Sequence, residues 1–287
     1  MYVITVLIWG STWFAIEFQL GVVEPEVSIV YRYLAAAFIL FIYCKIKKLP
    51  LIFNLKSHRW FALMGLLMFC LNYILAYRAQ IYITSALSAI AFSAMLWMNI
   101  INARLMFGIR AGIRTYIGAL LGVLGIVVLF GPQVSSVSLS DGVFFGSLLA
   151  VTGALMASFG NMASQAAQKS KLPVVQSNAW SMLYGGTFTG VLALALGHPF
   201  AFEATPGYVI SLAYLTVFGS VVAFGAYLTL LGRIGAHKAG YATVMFPVVA
   251  LGFSMAFEGL SPDIWIIGGF LLVLAGNVMV LRIGSGD

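Results

Sequence analysis

Charge is what this sequence has least of. Only 8% of its 287 residues are Asp, Glu, Lys or Arg, against about 25% in soluble domains. Hydrophobic residues make up 62% and mean hydropathy is +1.04. Such a chain cannot cover a water-facing surface, so the composition predicts an integral membrane protein. The two cysteines, Cys44 and Cys70, lie in or beside apolar stretches. They supply neither a disulfide framework nor a metal cluster and read as small packing residues. His58, His198 and His237 all fall at the ends of apolar stretches, which excludes a buried histidine relay. There is no H-E-x-x-H motif, no midplane aspartate pair and no buried Ser/His pair. The sequence therefore argues against an intramembrane enzyme, and no catalytic residue, metal or cofactor is assigned. Neither a filter-like repeat nor a charged ring speaks for a channel. The net charge is +7, yet no basic run is interleaved with aromatics, so nucleic acid is not an expected partner.

What the sequence does contain is a repeat. Ile117–Leu129 reads IGALLGVLGIVVL and Ile267–Met279 reads IGGFLLVLAGNVM, 150 positions on. Six of the thirteen pairs are identical, where chance would give roughly one. The same register carries Ala76-Tyr77 onto Ala226-Tyr227, Met95 onto Met245 and Phe107 onto Phe257, without a gap. The chain therefore reads as two related halves, 1–135 and 136–287.

Apolar runs bounded by charge, Pro or Gly predict ten membrane helices: 2–20, 27–44, 60–80, 84–107, 113–131, 142–168, 173–196, 206–232, 237–257 and 262–283. The first lacks a basic n-region and a cleavage site, and is expected to be a retained span. If the N-terminus is cytoplasmic, thirteen of the fifteen Lys and Arg residues fall in cytoplasmic segments, and only Arg32 and Arg78 lie inside spans. Every acid but Asp287 then falls on the outer side. This separation supports both the span count and an orientation with both termini inside. Five spans per half is an odd number, so the second half enters the membrane in the opposite sense. The expected fold is an all-α integral membrane protein of ten helices arranged as two inverted five-helix repeats. Such proteins bind substrate near the midplane, between the repeats.

Polar residues inside spans face other helices or a cavity rather than lipid. Trp9, Trp13 and Glu17 stand at i, i+4 and i+8 in span one and are expected on one cavity-facing side. Asn72, Tyr73 and Tyr77 in span three, Ser93 and Trp97 in span four, and Ser158, Asn161 and Gln165 in span six extend the set. Tyr227 and Tyr241 in the last spans complete the expected substrate-binding residues. Polar contact between helices is the alternative reading of each stripe. Arg32 lies roughly 8 Å below the outer edge at 1.5 Å per residue. With Glu17 and Arg78 it is expected to form an ion-pair cluster that closes an outer gate; a snorkelling Arg is the alternative. Pro247 is the only proline well inside a span, and it is expected to kink span nine into a hinge. No acid lies at the midplane, so any proton coupling would rest on Glu17 or Glu258. Gly118, Gly122 and Gly268 suit close helix packing.

The sequence resembles the drug/metabolite transporter superfamily, in particular its EamA-like members. The residues that carry the resemblance are Trp9–Glu17 (WGSTWFAIE), Tyr31–Phe38 (YRYLAAAF), Pro247, Glu258 and the glycine-rich spans five and ten. Where family members carry an acid before Arg110, this chain reads Phe107-Gly108-Ile109-Arg110. The resemblance implies a central cavity lined by spans one, three, four, six, eight and nine, with five and ten packed behind. It implies a secondary transporter in a bacterial inner membrane that exports small metabolites, amino acids or related organic compounds, by alternating access. A flippase for lipid-linked substrates is the alternative. The expected partners are a small-molecule substrate and the lipid bilayer, with the chain a monomer or homodimer.

Overall fold

The computed structural model of the protein describes residues 1–135, 141–249, 252 and 263–281. These form ten helices: α1 Tyr2–Glu17, α2 Pro25–Ile46, α3 Leu55–Gln80, α4 in two pieces, Ser85–Ser93 and Met95–Phe107, α5 Ile113–Ser135, α6 Asp141–Lys169, α7 Val174–Ala195, α8 Pro206–Ile234, α9 and α10 Ile264–Leu281. The described part of α9 is broken into Ala236–Ala239, Tyr241–Val244 and a stretch over 246–249. Five of the helices are long and apolar enough to cross a membrane, by length and composition. The outer faces of these and of the shorter α1 and α5 carry Leu7, Phe38, Leu105, Leu124, Phe144 and Ile210, all exposed. An apolar exterior of that extent belongs against lipid.

Local chemistry sets the helix starts. Asn54 caps α3 by accepting from the Ser57 amide at 2.9 Å, which begins the helix five residues before the apolar run does. Thr84 caps α4 in the same way, and Thr205 caps α8, where Pro206 also occupies the first turn. Gly108 ends α4 at φ 68°, a left-handed conformation that glycine adopts without strain.

The repeat is visible in the backbone irregularities. α3 runs as a π-helix over Gly65–Leu71, and α8 does so over Leu215–Val222. The 150-residue shift carries the first segment onto the second. α4 turns at Ala94, and α9 turns at Met245, again within one residue of that register. Packing obeys the same exchange. α2 lies against α7 and α5 against α10, while α3 against α6 is matched by α8 against α1. Two inverted five-helix repeats thus share a common seam, with α5 and α10 behind it.

Glycine is what lets α5 and α10 approach so closely. A Cβ on Gly118 would lie 2.8 Å from the Gly276 carbonyl oxygen, and one on Gly276 would lie 2.6 Å from that of Gly118. Gly125 meets the Gly269 carbonyl oxygen in the same manner, at 2.8 Å. Backbone against backbone gives the dense van der Waals contact that drives association in lipid. Gly268, expected to share this role, has only Val128 Cγ1 within reach, at 3.9 Å. The tight positions fall one and eight residues further along the helix.

Gly276→Leu should force α5 and α10 apart and destabilise the fold by about 1–3 kcal/mol, read as a lower unfolding midpoint in detergent. Gly225→Ala, where a new Cβ meets nothing within 4 Å, should leave that midpoint unchanged or raise it.

Candidate substrate cavity

A cavity of about 60 Å³ lies at the seam between the repeats. Its walls come from six helices: Trp9, Thr12, Trp13 and Ile16 of α1, Asn72 and Tyr73 of α3, Met95 of α4, Asn161 of α6, Tyr227 of α8 and Phe246 of α9 are among them. The space suits a few waters; a metabolite requires the walls to part.

Aromatic rings set its shape. The Trp9 indole meets Phe224 at 4.7 Å, Tyr227 at 4.9 Å and Phe246 at 5.8 Å between ring centres. Its Nε1 donates to the Gly219 carbonyl at 3.0 Å, so the indole is fixed across the seam. Trp13 packs edge-on to Phe92 at 4.8 Å. Amides supply the polarity. Asn161 Nδ2 donates to the Tyr227 hydroxyl at 3.0 Å and to Asn99 Oδ1 at 3.3 Å, and Asn72 Nδ2 donates to the Met68 carbonyl at 3.2 Å. The Oδ1 atoms of Asn72 and Asn161 are buried and have no hydrogen-bond partner.

Of the twelve residues expected to bind substrate, Trp9, Trp13, Asn72, Tyr73, Asn161 and Tyr227 stand on the cavity wall. Tyr77 stands one step behind, beside Tyr73 and Arg32. The others bond between helices or within one. Ser93 donates to the Ile90 carbonyl, and Ser158 accepts from Asn102. Gln165 accepts from the Ala236 amide at 2.9 Å, and Trp97 packs near Tyr116. Tyr241 donates to the Thr115 carbonyl, which points its hydroxyl toward α5. Thr12, Ile16, Met68, Phe92, Phe224 and Phe246 also line the cavity and were not expected. Apart from Thr12 they are apolar, and nothing in an apolar side chain separates a cavity wall from ordinary core.

The charged residues are arranged differently from the expected gate cluster. Glu17 is exposed and makes no ion pair among the described residues. The helix period explains this. Eight residues overshoot two turns by about 80°, whereas seven fall short by about 20°. Ile16, not Glu17, therefore shares the face of Trp9. Arg78 pairs instead with Glu26 at 2.7 Å and Glu24 at 3.3 Å, and His198 lies 3.4 Å from Glu26. This clasp ties the end of α3 to the α1–α2 turn and the loop after α7. Arg32 is fully buried and touches neutral groups: Nε donates to Ser220 Oγ at 2.9 Å, and Nη1 to the Tyr77 hydroxyl at 3.3 Å. Pro247 is buried just after the turn at Met245. Glu258 lies outside the described residues.

The sequence profile of the EamA-like transporter family matches residues 1–131 and 144–282. The chain belongs to the EamA-like transporter family. This transporter is 26% identical to the uncharacterized transporter YoaV of Bacillus subtilis, over 95% of its own length and 92% of that protein. It is 27% identical to the uncharacterized inner membrane transporter YedA of Escherichia coli K12, over 97% and 88%. Protein PagO of Salmonella typhimurium is 22% identical over 98% and 94%. A solved crystal structure superposes with a TM-score of 0.77 at 16% identity, covering 96% of this chain and 94% of that one; that likeness bears on the fold alone. The transporter is accordingly not an enzyme.

The Asn161–Tyr227 bond joins α6 to α8 within the second repeat, at the cavity wall. In a double-mutant cycle, Asn161→Ala and Tyr227→Phe should show a coupling of about 0.6–2 kcal/mol in unfolding free energy. Additive effects would mean that the bond is not formed.

Proposed function

We propose that this transporter exports small organic metabolites, amino acids or related compounds, across a bacterial inner membrane by alternating access, with both termini in the cytoplasm. One observation carries the reading: an aromatic and amide-lined cavity, closed to metabolites, lies between two inverted repeats. Its walls come from α1, α3 and α4 of the first repeat and from α6, α8 and α9 of the second. Aromatic faces hold apolar groups and cations, and unpaired amide oxygens accept from a ligand's N–H groups. The segments 1–135 and 136–287 are the units that rock. The turns at Ala94 and Met245, with Pro247 beside the second, are where α4 and α9 flex. The Arg78 clasp with Glu24 and Glu26 holds the outer end shut. The cavity is complete within one chain, so a monomer suffices for transport. The membrane placement accords with the description of YedA as an inner membrane transporter.

The test is counterflow of radiolabelled amino acids in proteoliposomes, with and without a pH gradient. Exchange of at least one amino acid is expected, and none with a stably folded protein would end this reading. Trp13→Ala should weaken apparent affinity about 2- to 10-fold, the equivalent of an aromatic contact of 0.5–1.5 kcal/mol. Pro247→Ala should slow exchange while leaving substrate affinity near wild type, as expected for a residue that eases motion.

A further inference from the structure

Arg32 is a full charge that has no counter-ion among the described residues. It is 0% exposed, and no carboxylate lies within ion-pair distance of it among the described residues. Its guanidinium offers five N–H donors in a rigid fork. The hydroxyls of Ser220 and Tyr77 take two of them, and Nη2 has no partner at all. The cationic carbon sits 4.6 Å from the centre of the Tyr73 ring and 5.3 Å from that of Tyr33. Aromatic faces soften a buried cation but do not neutralise it. The same chain pairs Arg78 with two carboxylates, so the bare guanidinium of Arg32 is not a general habit of this sequence. A lone buried cation is costly at membrane depth and is a site by default.

The unfilled edge of Arg32 points to where an anion would come from. Tyr73, which covers the guanidinium, is itself a wall of the cavity. A Cβ on Gly219 would lie 3.1 Å from Nη2 and 3.1 Å from Thr12 Cγ2, and Thr12 lines the cavity. Nη2 therefore stands one residue layer behind the cavity, so close to Gly219 that any side chain there would crowd it. The cavity wall also carries the opposite polarity. Asn72 and Asn161 line the cavity, and their buried Oδ1 atoms lack a donor.

We propose that Arg32 is the carboxylate-binding residue of this transporter, and that the ligand is a zwitterionic α-amino acid with an apolar or aromatic side chain. The inference rests on the export reading above and sharpens it. The substrate carboxylate takes the open Nη2 edge once the Tyr73 ring swings aside. The ammonium group donates to Asn161 and Asn72. The side chain lies among Trp9, Trp13 and Phe92. The ligand carboxylate supplies the counter-charge that Arg32 lacks among the described residues, which makes Arg32 a specificity-determining residue and not a gate.

The test is direct binding to the full chain in lipid nanodiscs, using each of the twenty common L-amino acids. For every binder, its amide and its decarboxylated amine are measured alongside. Wild type should bind the acid at least tenfold more tightly than either analogue. Arg32→Gln should shrink that preference to threefold or less while leaving the amine's affinity in place, and Arg32→Lys should keep part of it. Should Arg32→Gln fail to fold, Gly219→Ala retains the charge and crowds Nη2; it should weaken the acid and spare the amine. Equal binding of acid and analogues by wild type, full preference surviving in Arg32→Gln or Gly219→Ala, or no bound amino acid would each overturn the assignment. Carboxylate preference without counterflow sinks export and leaves this inference standing. Counterflow without carboxylate preference does the reverse.

Discussion

Inside a bilayer there is no water to complete a hydrogen bond, and the rest of this structure follows from that. Every polar atom in the interior must find another helix or open onto a cavity. Most find a helix. Gln165 holds the α9 backbone, and Gln168 Nε2 of α6 holds the Leu228 carbonyl of α8. Each such bond crosses between helices distant in sequence. Asn72, Asn161 and Arg32 are different because each has one edge satisfied and another left open. The distinction is between polar groups whose partners are complete and those, two of them on the cavity wall, that keep an open edge.

That distinction also separates what was legible in the sequence from what was not. The ten helices and the repeat were readable because hydropathy and a fixed 150-residue register are collective signals spread over many residues. Trp9 and Trp13 were readable because two tryptophans at i and i+4 mark one face. Glu17 was misplaced because i+8 rotates off that face, a matter of 3.6 residues per turn and not of chemistry. Ser93, Ser158 and Gln165 carry side chains as polar as Asn161, and only the structure shows their partners, the Ile90 carbonyl, Asn102 and the Ala236 amide. Tyr241 reads like Tyr227, yet its hydroxyl reaches back to α5 while that of Tyr227 meets Asn161. Which way a polar side chain turns is decided by the neighbouring helix, and one sequence does not show that helix's rotation.

The symmetry of the backbone is not matched by symmetry of charge. The π-helical segments, the mid-helix turns and the helix pairs all exchange under the 150-residue shift. The charges do not: the register that carries Tyr77 onto Tyr227 carries Arg78 onto Leu228, and α7, the counterpart of α2, has no charged residue to match Arg32. An ion-pair clasp ties the end of α3 to Glu24 and Glu26, and the counterpart position in α8, Leu228, carries no charge. A perfectly symmetric pair of repeats would close either end at equal cost. Ion pairs near a surface are weakened by water and salt, whereas packed helices in lipid are not. A fold of duplicated halves acquires direction through such differences, and in this chain they reside in a few charged side chains set on an otherwise duplicated frame.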